Sequence, residues 1–177
     1  MARLIETFIP PIMEDGYNSA KAIVTTGTIT GAGITSTTTV AAAGITSTAG
    51  LTSTSTTSAG VGYATGAGGT VTQITSRSTG VTINKLCGTI QTDVTSLAAA
   101  ASAVFTVTNS TVAIGDTVIV SQRSGSTNAA SVTGMTYVSV VAVAAGSFNI
   151  AVDNRSAATA EVGAIIINFA VIKAVTA

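Results

Sequence analysis

From Ala22 to Ser76 the chain carries no charged residue, and the stretch is repetitive. Gly33-Ile-Thr-Ser-Thr37 returns as Gly44-Ile-Thr-Ser-Thr48 and again as Gly50-Leu-Thr-Ser-Thr54, while Ile29, Ile34, Val40, Ile45 and Leu51 fall every five or six residues. A helix needs apolar residues at a period near 3.6 and is weakened by dense Gly, Thr and Ser. One larger apolar side chain per short segment suits β-winding instead. So few large side chains cannot build a core within one chain, whereas three chains around a common axis can each supply one per layer. The repeat therefore predicts a Thr/Ser/Gly β-repeat stalk over residues 22–76 and a homotrimer. A low-complexity linker is the competing reading of such a tract.

The rest of the chain fits this picture. Its 177 residues allow one domain of about 100–150 residues and an extension. Hydrophobic residues make up 46% but aromatics only 4%, so the core is built mainly from Ala, Val and Ile and is thin. Charged residues are 8%, against about 25% in an average soluble domain. So low a charge removes the repulsion that keeps free monomers apart and predicts a surface covered by other protein, a secreted domain kept soluble by its hydroxyls being the competing reading. Basic and acidic residues balance at seven each with no basic patch, which excludes a phosphate-neutralising nucleic-acid surface.

Residues 1–21, holding Arg3, Glu6, Glu14, Asp15, Lys21 and the Pro10-Pro11 pair, which imposes an extended path, read as a distinct N-terminal arm, with a loosely ordered terminus as the competing reading. Phe8 and Tyr17 are its candidate contacts with neighbouring subunits, alongside Ile29, Ile34, Val40, Ile45 and Leu51 of the stalk. Glu6 and the prolines interrupt any signal-peptide core. The longest apolar stretch, Val162–Ile172, is shorter than the roughly 18 residues of a spanning helix and reads as a buried strand. Cys87 is the single cysteine, so no intrachain disulfide forms, and its apolar setting predicts a small buried side chain.

Residues 77–177 show the period-two alternation of half-buried strands. Strands are expected over 81–84, 103–108, 117–121, 136–142, 147–152 and 163–172, separated by turn signals such as Gly115-Asp116, Ala145-Gly146 and Asp153-Asn154. Phe148, Ile150 and Val152 share one face while Asn149 and Ala151 take the other, as a two-sheet core requires. The expected fold is all-β, a C-terminal β-sandwich or jelly roll behind the arm and stalk. The helix-like run Ser96–Ser102 is short enough to be a turn.

Candidate chemistry is sparse. Without histidine and with one cysteine, His-bearing triads and the usual zinc sites cannot form. Asp93, Asp116, Asp153 and Glu161 are the only acids of the sandwich. A glycosidase pair among them competes with plain turn roles for Asp116 and Asp153, which are favoured. The Gly60–Thr70 run lacks the Lys-Ser/Thr and following helix of a phosphate loop and reads as a tight crossing. Asn109-Ser-Thr111 and Asn154-Arg-Ser156 match the glycosylation sequon, a pattern that recurs by chance. No enzyme activity, cofactor or metal is expected.

The segment Gly62–Ile90, containing Gly69-Thr-Val-Thr-Gln73 and Ser78-Thr-Gly-Val-Thr-Ile-Asn-Lys85, together with Asn168-Phe-Ala-Val-Ile-Lys173, resembles virion structural proteins of tailed bacteriophages. The resemblance covers roughly residues 62–174. It implies a virion structural protein of the head surface or the tail; the short chain favours a capsid decoration (cement) protein, trimeric as the repeat predicts, with the arm and stalk gripping the major capsid protein and the sandwich facing outward. A tail fibre or spike component is the alternative that it also implies. Because jelly rolls often bind sugars on one face, a surface glycan is a further expected partner, although Tyr137 is the only tyrosine in the sandwich.

Overall fold

A computed structural model describes residues 61–63, 66–128 and 135–174. The arm, most of the stalk and the contact residues Phe8, Tyr17, Ile29, Ile34, Val40, Ile45 and Leu51 lie outside the described residues.

Eight strands form: β1 (Gly68–Thr72), β2 (Val81–Thr82), β3 (Cys87–Gln91), β4 (Ser102–Thr108), β5 (Thr117–Ser124), β6 (Thr136–Ala144), β7 (Ser147–Asn154) and β8 (Ile166–Ile172). They make two four-stranded sheets, ordered β1-β3-β8-β5 and β2-β4-β7-β6. No helix occurs among the described residues. Pairing of β1 with β3 and of β2 with β4 is parallel, and the other four pairings are antiparallel. The sheets are therefore mixed, where a jelly roll is antiparallel throughout.

Alternation builds the core. On β4, Ala103, Phe105 and Val107 point inward, and on β7 Phe148, Ile150 and Val152 do. Ile90, Ile167, Phe169 and Val171 face them from the other sheet, with the Phe148 and Phe169 rings tilted against each other at 5.6 Å. Burying each of these side chains contributes about 1.5–3 kcal/mol. Ala151 points outward as its position on β7 dictates, yet it is buried, lying between Val104 and Ser139 in the cross-strand row.

Three expectations are corrected. The sandwich begins by Gly68 rather than at residue 77, because β1, inside the segment read as stalk, pairs with β3 along its whole length. The Gly-rich run thus ends in a strand, and one of its glycines does serve close packing, since a Cβ on Gly69 would stand 3.2 Å from Lys85 Cγ. Cys87 sits on the outer face of β3, half-buried rather than in the core. Asp153 lies within β7 rather than in a turn. Within the run Ser96–Ser102, Leu97 bridges to Glu161, Ala99 and Ala100 form a turn with Ala100 at φ +58°, and Ser102 opens β4.

The chain crosses from one sheet to the other at every connection except the β6–β7 hairpin. Among the described residues, the crossover segments 73–80, 92–101, 125–128 and 155–165 gather at the end of the sandwich marked by Arg77. The opposite end carries Lys173 and the entering segment, where the Tyr63 phenol donates to Val171 O.

A candidate interaction site at the crossover end

Arg77 is the first charge after the uncharged stretch, and it is only 3% exposed. Its guanidinium ties three crossovers together. Nε donates to Thr95 O at 2.5 Å, Nη1 to Thr92 Oγ1 at 3.1 Å, and Nη2 to Glu161 O at 3.2 Å and Gly163 O at 2.8 Å. A planar fork of fixed donors suits this task, because it meets carbonyls in several directions at once. Burial lowers the Arg77 pKa from its ordinary value, while the charges of Glu161 and Asp93 work in the opposite sense.

Glu161 is fully buried, and its carboxylate is met by donors from one other crossover, from the first residue of β6 and from its own loop. Oε1 accepts from Thr127 N–H at 2.9 Å, Thr127 Oγ1 at 2.6 Å and Gly163 N–H at 2.7 Å, and Oε2 from Thr136 Oγ1 at 2.5 Å, with Ser126 Oγ at 2.8 Å. Burial alone would push this carboxyl up. Hydrogen bonds from Thr127, Thr136, Gly163 and Ser126 outweigh it and bring the pKa to about 2. The backbone of Glu161 exchanges two further hydrogen bonds with Leu97. Beside it, Asn154 Nδ2 donates to Leu97 O, Ala98 O and Thr159 O, and its Oδ1 accepts from Asn128 Nδ2 at 2.6 Å.

Three large apolar side chains stand exposed around this buried lattice. Ile74 is 72% exposed, Val94 59% and Val162 54%, each on a crossover that Arg77 holds. Thr75, next to Ile74, has φ +86°, a strained conformation for a β-branched residue. The loop that contains it is cinched by Gln73, whose Nε2 donates to Arg77 O at 3.1 Å and Thr79 O at 2.7 Å. These contacts hold the strain.

The four sandwich acids are thus dispersed. Asp93 accepts from the Thr95 hydroxyl and N–H, which hold its pKa down. Asp116, at the opposite end, pairs with Lys173 and accepts from Ala113 N–H, which likewise lower its pKa. Asp153 Oδ1 accepts from Ser102 Oγ at 2.5 Å. Among the described residues no group of three or more His, Cys, Asp or Glu side chains is placed to hold a metal. The sequon asparagines are buried structural residues: Asn109 Nδ2 donates to Lys85 O, and Asn154 belongs to the lattice just described. No helix among the described residues is long and apolar enough to cross a membrane.

Local pattern did not single out Arg77 or Glu161 as partners. Their signal was position: a lone charge closing an uncharged run, and a lone acid between Ala160 and Val162. Comparison with family models, with curated proteins and with solved structures gives no match to this chain.

Proposed function

We propose that the chain is a structural subunit of a tailed-bacteriophage particle, a homotrimeric decoration protein that binds between major capsid protein subunits on the head. The observation that carries the reading is the shortage of charge on both outer faces of the sandwich. Across sheet β1-β3-β8-β5 one outward row reads Thr70, Thr89, Asn168 and Ser121, and the neighbouring row reads Gly68, Cys87, Ala170 and Ile119. On the other sheet the rows Val104-Ala151-Ser139 and Thr106-Asn149-Ala142 are equally neutral. Such faces gain little repulsion in solution and lose little on being covered. The resemblance over residues 62–174 supplies the viral context.

This reading assigns no catalysis, since the Glu161 carboxylate is enclosed by donors and Asp93 and Asp116 are engaged by Thr95 and Lys173. In it, residues 1–60 grip the capsid and the trimer partners. A second reading, a tail-fibre tip, draws on one feature: the described chain enters at one end of the sandwich and the four crossovers form the other.

Mixing the purified protein with decoration-free heads tests the proposal. Binding, with greater resistance of the particles to heat, is expected, as is a light-scattering mass of three chains. Heads left bare or no more heat-resistant, or a monomeric mass, would overturn the decoration reading.

A further inference from the structure

On the outer face of sheet β2-β4-β7-β6, near the crossover end, one cross-strand row differs from its neutral neighbours. Register places Ser102 opposite Asp153 and Asp153 opposite Tyr137. The Arg155 guanidinium lies over the Tyr137 ring, 4.2 Å from its centroid. Tyr137 nevertheless remains 50% exposed, so that its uncovered part is open to a ligand. Beside it, the seam between edge strands β5 and β6 opens into a shallow cleft of about 250 Å³, lined by Val120, Ser121, Gln122, Thr136, Tyr137 and Val138. Both strands carry a β-bulge, at Gln122–Ser124 and at Val140–Ala142, a device that re-aims side chains next to sites.

Most polar groups on the lattice side of this seam are committed, the Thr136 hydroxyl to Glu161 for instance. Among the described residues, no hydrogen bond engages the side chains of Ser121, Gln122, Arg155 or the Tyr137 phenol, and Asp153 uses one carboxylate oxygen. The patch thus combines an aromatic ring braced from one side, a hydroxyl, an amide, a carboxylate and a guanidinium.

We propose that this patch binds an uncharged sugar unit. A pyranose presents C–H faces that pack on an aromatic ring and hydroxyls that both donate and accept, and this set answers each of those features. Within the patch the charges of Asp153 and Arg155 offset each other, and the exposed Arg123 next to Gln122 adds a single cation, fewer than the clustered basic groups a polyanion site uses. The cleft lies just below the usual range of about 300–1,000 Å³ for drug-sized ligands, which suits a single ring. The proposal is independent of the virion reading, because it concerns the purified protein alone.

A glycan array carrying neutral and acidic oligosaccharides, probed with the full chain, tests it. Retention of hexose-bearing neutral glycans is expected, weakened about tenfold or more by Tyr137→Ala. Asp153→Asn should weaken retention as well, and Lys85→Ala, at the other end of the sandwich, should leave it unchanged. Circular dichroism checks that each variant is folded; Tyr137→Phe, which keeps the ring, should retain binding and covers the case in which Tyr137→Ala unfolds. No retention of any neutral glycan, retention of acidic glycans alone, or binding undiminished in folded Tyr137→Ala would each overturn the proposal.

Discussion

Glu161 shows how a single carboxylate can organise a loop cluster whose members are far apart in sequence. Its donors come from residues 126, 127, 136 and 163, so truncation leaves several polar groups without their partner. Glu161→Ala is expected to cost about 3–5 kcal/mol in urea unfolding, the range for breaking a buried charged interaction. The folded-state pKa is lowered from 4.5 to about 2, so the contribution is fully present above pH 4.5 and fades as pH falls through the folded value. Glu161→Gln should therefore be less stable than the parent at neutral pH, with the gap narrowing between pH 4.5 and 2. A gap independent of pH would show that the charge contributes nothing. Arg77 and Glu161 were hard to find from sequence because their partners lie between 2 and 86 positions away, a range that no local pattern encodes.

Strands were legible wherever large β-branched or aromatic residues alternate with small polar ones. The expected segments 103–108, 117–121, 136–142 and 147–152 fall within β4, β5, β6 and β7, and 163–172 contains β8. β1 and β3 escaped notice because Gly68, Gly69 and Gly88 replace the inward and outward side chains that would mark their period. The same residue type sets a sharp requirement between crossovers. Gly125, at φ +99°, lies so close to Ala164 that a Cβ would fall on the Ala164 carbonyl, and a Cβ on Gly163 would fall on Gly125 O. Gly125→Ala and Gly163→Ala should each lower the thermal midpoint by well over 5 °C, corresponding to more than about 1 kcal/mol in a domain of this size. Gly62, with nothing within 4 Å of its Cβ position, should accept alanine with no measurable change.

At the scale of the molecule, the pairing of β1 moves the edge of the independently folding unit. A fragment of residues 61–177 should unfold cooperatively in urea, whereas one of residues 77–177 lacks the whole of β1, including Val71 against the core, and the Gln73 amide that closes the next loop. The shorter fragment should be unfolded or strongly destabilised by circular dichroism, and equal stability of the two would place the boundary back at residue 77. The order of strands also bears on synthesis. β8, the last of the eight to be made, lies between β3 and β5 and supplies both with their hydrogen-bonding neighbour. While the chain is still on the ribosome, β5 has no partner in its sheet and β3 is paired on one side only. Pairings this distant in sequence also close slowly. The nascent chain thus keeps apolar strand edges open until β8 emerges, and a chaperone that holds unfolded segments would have its longest engagement in that interval.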